Sequence, residues 1–294
     1  MPSTPNYYYG WQPSPPDFRD HIYQVSKDID VAALPPSVDL SQPPVFDQGK
    51  LGSCGPHSAA ADIIFAAKSQ QHLTEVPVPS RLFVYYNTRL LMGTVNSDSG
   101  VNNRSMLKAL AKYGWCDETL HPYNVGTFRN RPSLEAFTQA ATRRIAKYES
   151  VPQDLLTMKA ALAAGDTFIF GFTVYSSMET AAVARTGDVP MPKSGDRVKG
   201  GHDVLICGFS DDTQRFKFKN SWGAGWGNGG YGTIPYQYAT HPQLAGDFWT
   251  ITHSALPDPQ PAPAPGGELD LGLFEIRYPS EAGGLASIHI KAKQ

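Results

Sequence analysis

Asp47-Gln48-Gly49-Lys50-Leu51-Gly52-Ser53-Cys54-Gly55-Pro56-His57-Ser58-Ala59-Ala60-Ala61-Asp62-Ile63-Ile64 is the stretch on which the reading of this chain turns. A loop punctuated by glycines gives way at Cys54 to an alanine- and isoleucine-rich run, which predicts a buried helix to about Gln71. Pro56 falls in its first turn, where a missing N–H costs nothing. Cys54 would sit at the positive end of the helix dipole, which favours thiolate and makes a thiol nucleophilic. A lone cysteine is as readily a small buried hydrophobe, and the local context leaves both readings open. His57, on a neighbouring face of the same helix, could be a second base or a core side chain.

Further along, the apolar spacing predicts helices over 80–92, 105–113 and 152–164, the last two closed by Gly114 and Gly165. Short apolar or alternating runs then predict strands over 168–174, 203–209, 215–220, 231–235 and 248–252. Helices first and strands later predict an α+β protein of two lobes, with a cleft between them as the place for a site. His202 stands at the mouth of the apolar strand Asp203-Val204-Leu205-Ile206. Asn220 ends another and is followed at once by Trp222 and Trp226, whose rings could shield an Asn–His hydrogen bond from water. The plain alternatives are a histidine without a role and an aromatic-rich turn.

The composition narrows the classes of function. The chain has 294 residues, room for one large domain or two lobes. With 25 Lys and Arg against 27 Asp and Glu it has a formal charge of −2 and no basic cluster, which argues against a nucleic-acid partner. A hydrophobic share of 41% excludes disorder of the whole chain, and 27 glycines with 25 prolines imply many loops. The segment Met1-Pro2-Ser3-Thr4-Pro5 has no signal-peptide character, and no run reaches the ~18 apolar residues of a membrane helix. A cytoplasmic location or export by a route without a signal peptide is expected. Cys54, Cys116 and Cys207 are scattered singly, without zinc spacing or a pairing framework, so no metal, cofactor or disulfide is expected.

Residues 1–36 are aromatic and proline-rich, with Tyr7-Tyr8-Tyr9-Gly10-Trp11 at their centre, a stretch that cannot build a core but can dock in a groove. Residues 257–266 read as a proline-rich extended linker. Beyond it, 269–278 and 286–292 alternate like two strands of a hairpin.

Taken together and in order, Gln48, Cys54, His202 and Asn220 resemble the papain-like cysteine peptidases. Gln48-Gly49-x-x-Gly52-Ser53-Cys54 is similar to the family's nucleophile loop, Gly201-His202 and its strand to the histidine motif, and Asn220-Ser221-Trp222-Gly223-x-Gly225-Trp226-Gly227 to the asparagine motif. Leu34-Pro35-x-Ser37-Val38-Asp39 resembles the mature start, and the region from Tyr113 to Pro122-Tyr123 a loop after the third helix. The likeness spans about 34–256. It departs at Gly55-Pro56, where the family has Trp, and at Leu51, where it has a disulfide cysteine. The long helical propeptide is absent. The segments 9–20 and 183–192 look like a bacterial branch.

The resemblance implies a papain-like two-lobe α+β fold with a helical lobe and a β-barrel-like lobe. It implies a prosegment-like region over 1–36 and a peptidase domain over 37–256, mainly helical over 45–135 and mainly β over 137–256. A linker and β extension fill 257–294. It implies a zymogen that hydrolyses peptide or protein substrates, with Cys54 as nucleophile, His202 as base and acid, Asn220 as orienting group and Gln48 in the oxyanion hole. Ser99, Gly100, Gly201, Asp203 and Trp222 are the substrate-binding candidates, Asp203 either as a wall of the specificity pocket or in a buried salt bridge. Residues 178–191 would form a loop on the leaving-group side. Tyr7, Tyr8, Tyr9 and Trp11 are candidate autoinhibitory contacts. The rival readings are an inactive binding protein on this scaffold and a thiol amidase or acyltransferase.

Overall fold

The computed structural model describes residues 7–254 and, beyond them, 267–270, 274–278 and 289–292. α1 (Cys54–Gln71) forms where the alanine-rich run predicts it. Residues 54–67 are buried on every side, as a helix without a polar face requires. α2 (Arg81–Met92) starts at Ser80, whose hydroxyl accepts the Phe83 N–H, and stops at the left-handed Gly93. α3 (Asn103–Tyr113) starts at Asn102, whose side chain accepts the Ser105 N–H, and ends at Gly114. α4 (Leu134–Ala141), which no long apolar period announces, packs behind α3.

The second half supplies most of a seven-stranded sheet. β2 (Ile145–Ser150), β3 (Phe168–Tyr175), β4 (Val198–Ser210), β5 (Arg215–Lys219), β6 (Tyr231–Pro235) and β7 (Ala245–Ser254) lie in the order β2-β7-β3-β4-β5-β6. All pair antiparallel, and β1 (Ser37–Asp39) pairs with the far end of β4. The β half of the two-lobe α+β fold is thus an open sheet, with β2 and β6 at its ends. α5 (Leu155–Ala163) packs on β4, and α6 (Ala181–Thr186) and α7 (Tyr236–Ala239) are short. Residues 178–191, expected as a loop, contain α6. A second antiparallel sheet runs in the order β10-β9-β8, from β8 (Gly267–Asp270), β9 (Phe274–Tyr278) and β10 (His289–Ala292). The stretch expected as one strand over 269–278 is therefore two paired ones. The linker expected at 257–266 lies outside the described residues.

Strand alternation decides what faces what. On β3 and β4, Phe168, Phe170, Phe172, Val204 and Ile206 join a core with Phe216 and Phe218, whereas Ile169 and Leu205 join the helical core of Ala59, Ile63, Leu82 and Leu107. The sheet is therefore sandwiched between two cores, and the helical half rests on its other face. Leu51, at the place of the family's disulfide cysteine, is buried in that helical core, so apolar contact stands where a covalent tie was absent. The three thiols are free and buried. Among the described residues no helix is long and apolar enough to cross a membrane.

Gly114 holds the α3–α4 junction at φ 75°, and a Cβ built on it would collide with the Ala140 carbonyl. Gly114→Ala is expected to lower Tm by roughly 4–8 °C, the counterpart of ~2 kcal/mol of strain, in a thermal melt followed by circular dichroism.

Candidate active site

α1 and β4 bring the sequence candidates to one seam. Cys54 is the first residue of α1 and is wholly buried. Its N-cap, Ser53, makes no capping bond and turns its hydroxyl to Tyr123 instead. Gly55 lies against Val101 and Met106, and a Cβ built on it would meet their side chains at 3.0 and 3.4 Å. His202 sits on β4 opposite Phe172, and its Nε2–H donates to Asn220 Oδ1 at 2.8 Å. The Trp222 ring stacks on the imidazole with centroids 4.6 Å apart and covers that bond. His202 Nδ1 is buried without a hydrogen-bond partner among the described residues.

The Cys54 sulfur lies against the backbone N–H groups of Asp203, Gly10 and Gly55. These favour thiolate, but burial, aided by the Asp203 charge, pushes the thiol up to about 12. Burial likewise pulls His202 down to about 4, against the bond to Asn220. At neutral pH both groups are uncharged in this arrangement.

Gln48 is buried and held on every side. Ser221 Oγ–H donates to its Oε1 at 2.6 Å, which fixes the amide orientation. Its Nε2 donates to the Leu51 carbonyl at 2.8 Å and to the Tyr8 carbonyl at 3.0 Å.

For two further sequence candidates the placement favours one of the readings left open. Asp203 follows His202, so alternation turns it to the opposite face, toward Ser58 of α1 and Asn103 of α3. It is fully buried, and burial raises its carboxyl well above the usual range. In this arrangement it lies in the inter-lobe seam rather than on an open pocket wall. His57 is enclosed by the rings of Phe46 and Tyr123, and its Nδ1–H donates to the Ser53 carbonyl at 2.8 Å. Burial, with Arg81 nearby, pulls it down to about 3, too weak for a base at neutral pH.

The N-terminal aromatic segment runs through the cleft as a strap. Tyr7 stacks on Trp222 with centroids 3.9 Å apart, and Tyr9 donates its hydroxyl to Glu179 at 2.5 Å. Gly10 crosses so near Gly52 that a Cβ would collide with that residue's carbonyl. The Gly10 carbonyl accepts from Val101 N, Trp11 N donates to the Gly201 carbonyl, and Gln12 N donates to the Val101 carbonyl, at 2.8, 2.9 and 3.0 Å. The Gln12 side chain reaches the Ser99 carbonyl, and Gly100 leaves space for Gly10. Trp11 lies over Gly171 and Gly201, with Nε1–H on Asp247, between cavities of about 390 and 350 Å³. Farther on, Asp20 pairs with Arg104, and His21 and Tyr23 bond the backbone of Ser150.

Asp247, Glu179 and Ser221 are contacts that sequence reasoning missed. Ser221 lay inside the Asn220 motif, and Glu179 inside 178–191; Asp247 has no local signal beyond its place before a predicted strand. Among the described residues no group of three His, Cys, Asp or Glu could hold a metal ion.

The family described as papain family cysteine protease matches residues 34–247. A solved structure, xylellain, a cysteine protease from Xylella fastidiosa, is 39% identical, with a TM-score of 0.79 over 84% of this chain and 96% of its own. An uncharacterised peptidase C1-like protein of Acanthamoeba polyphaga mimivirus is 38% identical over 244 residues, 80% of this chain and 76% of that one. Procathepsin B of Trypanosoma congolense shares the fold, with a TM-score of 0.66 at 15% identity over 84% of this chain and 87% of its own.

His57 lies below its ordinary value and stays neutral down to about pH 4. Its ring resonances should stay fixed in an NMR titration from pH 8 to 4.5, and His57→Phe should keep wild-type turnover; a midpoint near 6.5 would place the ring in water.

Proposed function

We propose that this chain, which belongs to the papain family of cysteine proteases, cleaves peptide bonds with Cys54, His202, Asn220 and Gln48, and that residues 7–23 hold it inactive until they are displaced. The observation that carries the reading is the Tyr8 carbonyl on the Gln48 amide, with Gly10 on the Cys54 sulfur. A backbone carbonyl already sits where a substrate oxygen would develop charge.

With the strap gone, water and the neighbouring backbone N–H groups stabilise charge at the seam, and the Cys54 proton moves to His202 Nδ1. Asn220 holds the other ring nitrogen, which leaves Nδ1 free to take the proton. The thiolate attacks the peptide carbonyl carbon, and the oxygen that gains the negative charge takes hydrogen bonds from Gln48 Nε2 and the Cys54 N–H. His202 gives its proton to the leaving amine as the C–N bond breaks. A water then loses a proton to His202, attacks the thioester and releases the acid with the thiol restored. Trp222 keeps solvent from the His–Asn bond.

The strap escapes cleavage because of what it presents. The sulfur meets the Gly10 N–H, a donor and not an electrophile. The segment also bonds both lobes, Val101 on one side and Gly201 on the other, so it closes the seam over a neutral thiol and imidazole. The proposed layout keeps 1–36 as the prosegment-like region and 37–256 as the peptidase.

The chain carrying Trp11→Ala, with the strap loosened, is assayed on a fluorogenic peptide. Cys54→Ala should abolish turnover, and Gln48→Ala should reduce kcat about 10²–10³-fold. Unchanged turnover in Cys54→Ala would sink the assignment.

Gly10→Val, which collides with Gly52, and Trp11→Ala, which empties the indole site, should each raise turnover at least about tenfold, the equivalent of ~1.4 kcal/mol of strap docking. Mass spectrometry should show slow iodoacetamide labelling of Cys54 in wild type, since a thiol near 12 holds little thiolate at pH 7. Labelling should be fast in the two strap variants, with a bell-shaped pH–rate profile for hydrolysis. Equal rates with and without these changes would retire the strap's role.

A further inference from the structure

Behind the loop that carries Gln48 and Cys54 lies a side chain with no part in the chemistry above. Tyr123 donates its hydroxyl proton to the Gln48 main-chain carbonyl at 2.9 Å. The same oxygen receives Ser53 Oγ–H at 2.6 Å. One phenol oxygen therefore ties the residue that bears the Gln48 amide to the residue just before Cys54. The loop between them includes Gly49, at φ 55°, and Gly52, and is pinned as well by the Gln48 N–H on the Ser221 carbonyl at 2.8 Å and the Gly52 N–H on Asp98 at 3.1 Å.

The tyrosine is itself braced. Its N–H donates to Glu118 Oε1 at 2.7 Å, and that carboxylate pairs with Arg81 at 2.6 Å. The Arg81 guanidinium lies over the Tyr123 ring at 4.6 Å and over Phe46 at 4.4 Å. The His57 ring meets Tyr123 edge-on at 4.8 Å. Burial raises the phenol above its ordinary value, so it stays a donor at working pH.

We propose that Tyr123 is a positioning residue for the oxyanion hole, setting the distance between the Gln48 amide and the Cys54 N–H through its bonds to the Gln48 carbonyl and Ser53. The inference rests on the oxyanion role given to Gln48 above. Two hydrogen-bond donors stabilise a developing oxyanion only when both are aimed at one point, and a small loss of aim costs rate rather than binding.

The test uses full-length protein carrying Trp11→Ala. Tyr123→Phe should lower kcat about tenfold and leave KM within about twofold. A peptide aldehyde, whose thiol adduct carries the oxyanion, should bind about tenfold more weakly. Alkylation of Cys54 by iodoacetamide, which forms no oxyanion, should keep its rate, a result that a general loosening of the fold would not give. Gln48→Ala with Tyr123→Phe should be no slower than Gln48→Ala alone, since the tyrosine acts through the glutamine. Should Tyr123→Phe fail to fold, Ser53→Ala is read in the same assays and should show the same pattern. If Gln48→Ala leaves kcat unchanged, the oxyanion reading itself falls. If Gln48→Ala slows the enzyme but Tyr123→Phe leaves kcat and aldehyde affinity intact, or slows alkylation equally, only the role of Tyr123 falls.

Discussion

The seam where α1 meets β4 is the constraint on which the rest depends. A thiol that opens a helix and an imidazole on a strand belong to different cores, and neither core alone can fix their relation. That relation is set because β3 and β4 offer one face to the Phe168–Phe170–Phe172 cluster and the other to α1. Every second residue of β4 therefore looks into a different half of the molecule. His202 and Asp203 illustrate it: adjacent in sequence, they serve opposite faces, one stacked under Trp222 and the other closed between α1 and α3.

Charge at this seam depends on access to water. In a dry enclosure the ion pair of a thiolate and an imidazolium is costly, because each charge loses its solvation. With the segment in place Cys54 and His202 are wholly buried, and burial drives them toward their neutral forms from opposite directions. The proposed inhibition by this route would need no distortion of the proposed machinery. Asn220, Trp222 and Ser221 make their contacts while the segment lies across the cleft, so the proposed site would be assembled and merely uncharged.

Much of this was legible in the sequence. Gln48, Cys54, His202 and Asn220 stood out because loop, helix start, strand mouth and strand end each left a local mark. α1, α3 and β6 followed from alanine content, apolar spacing and glycine stops. β2 was missed because its Ile-Ala-Lys-Tyr-Glu-Ser lies at a sheet end, where only Ile145 and Glu149 are fully buried and alternation is weak. β4 starts earlier than its apolar run, at Val198, because Lys199, Gly200 and Gly201 hide a strand whose bonds the pairing with β3 supplies. The register of the strap was unreadable: Gly10 is informative only once Gly52 is known to lie beneath it. Asp247 is visible as a partner of Trp11 only in three dimensions, being 236 residues away.

Cys54, Cys116 and Cys207 all lie out of solvent with the segment in place. Sulfur oxidation proceeds through accessible thiolate, from sulfenic acid onward to irreversible products. Under the proposed function the closed molecule would be durable toward peroxide, and the departure of the one segment that would expose Cys54 to substrates would also start its oxidative ageing, making the working life of the opened form a matter of how reducing its surroundings are.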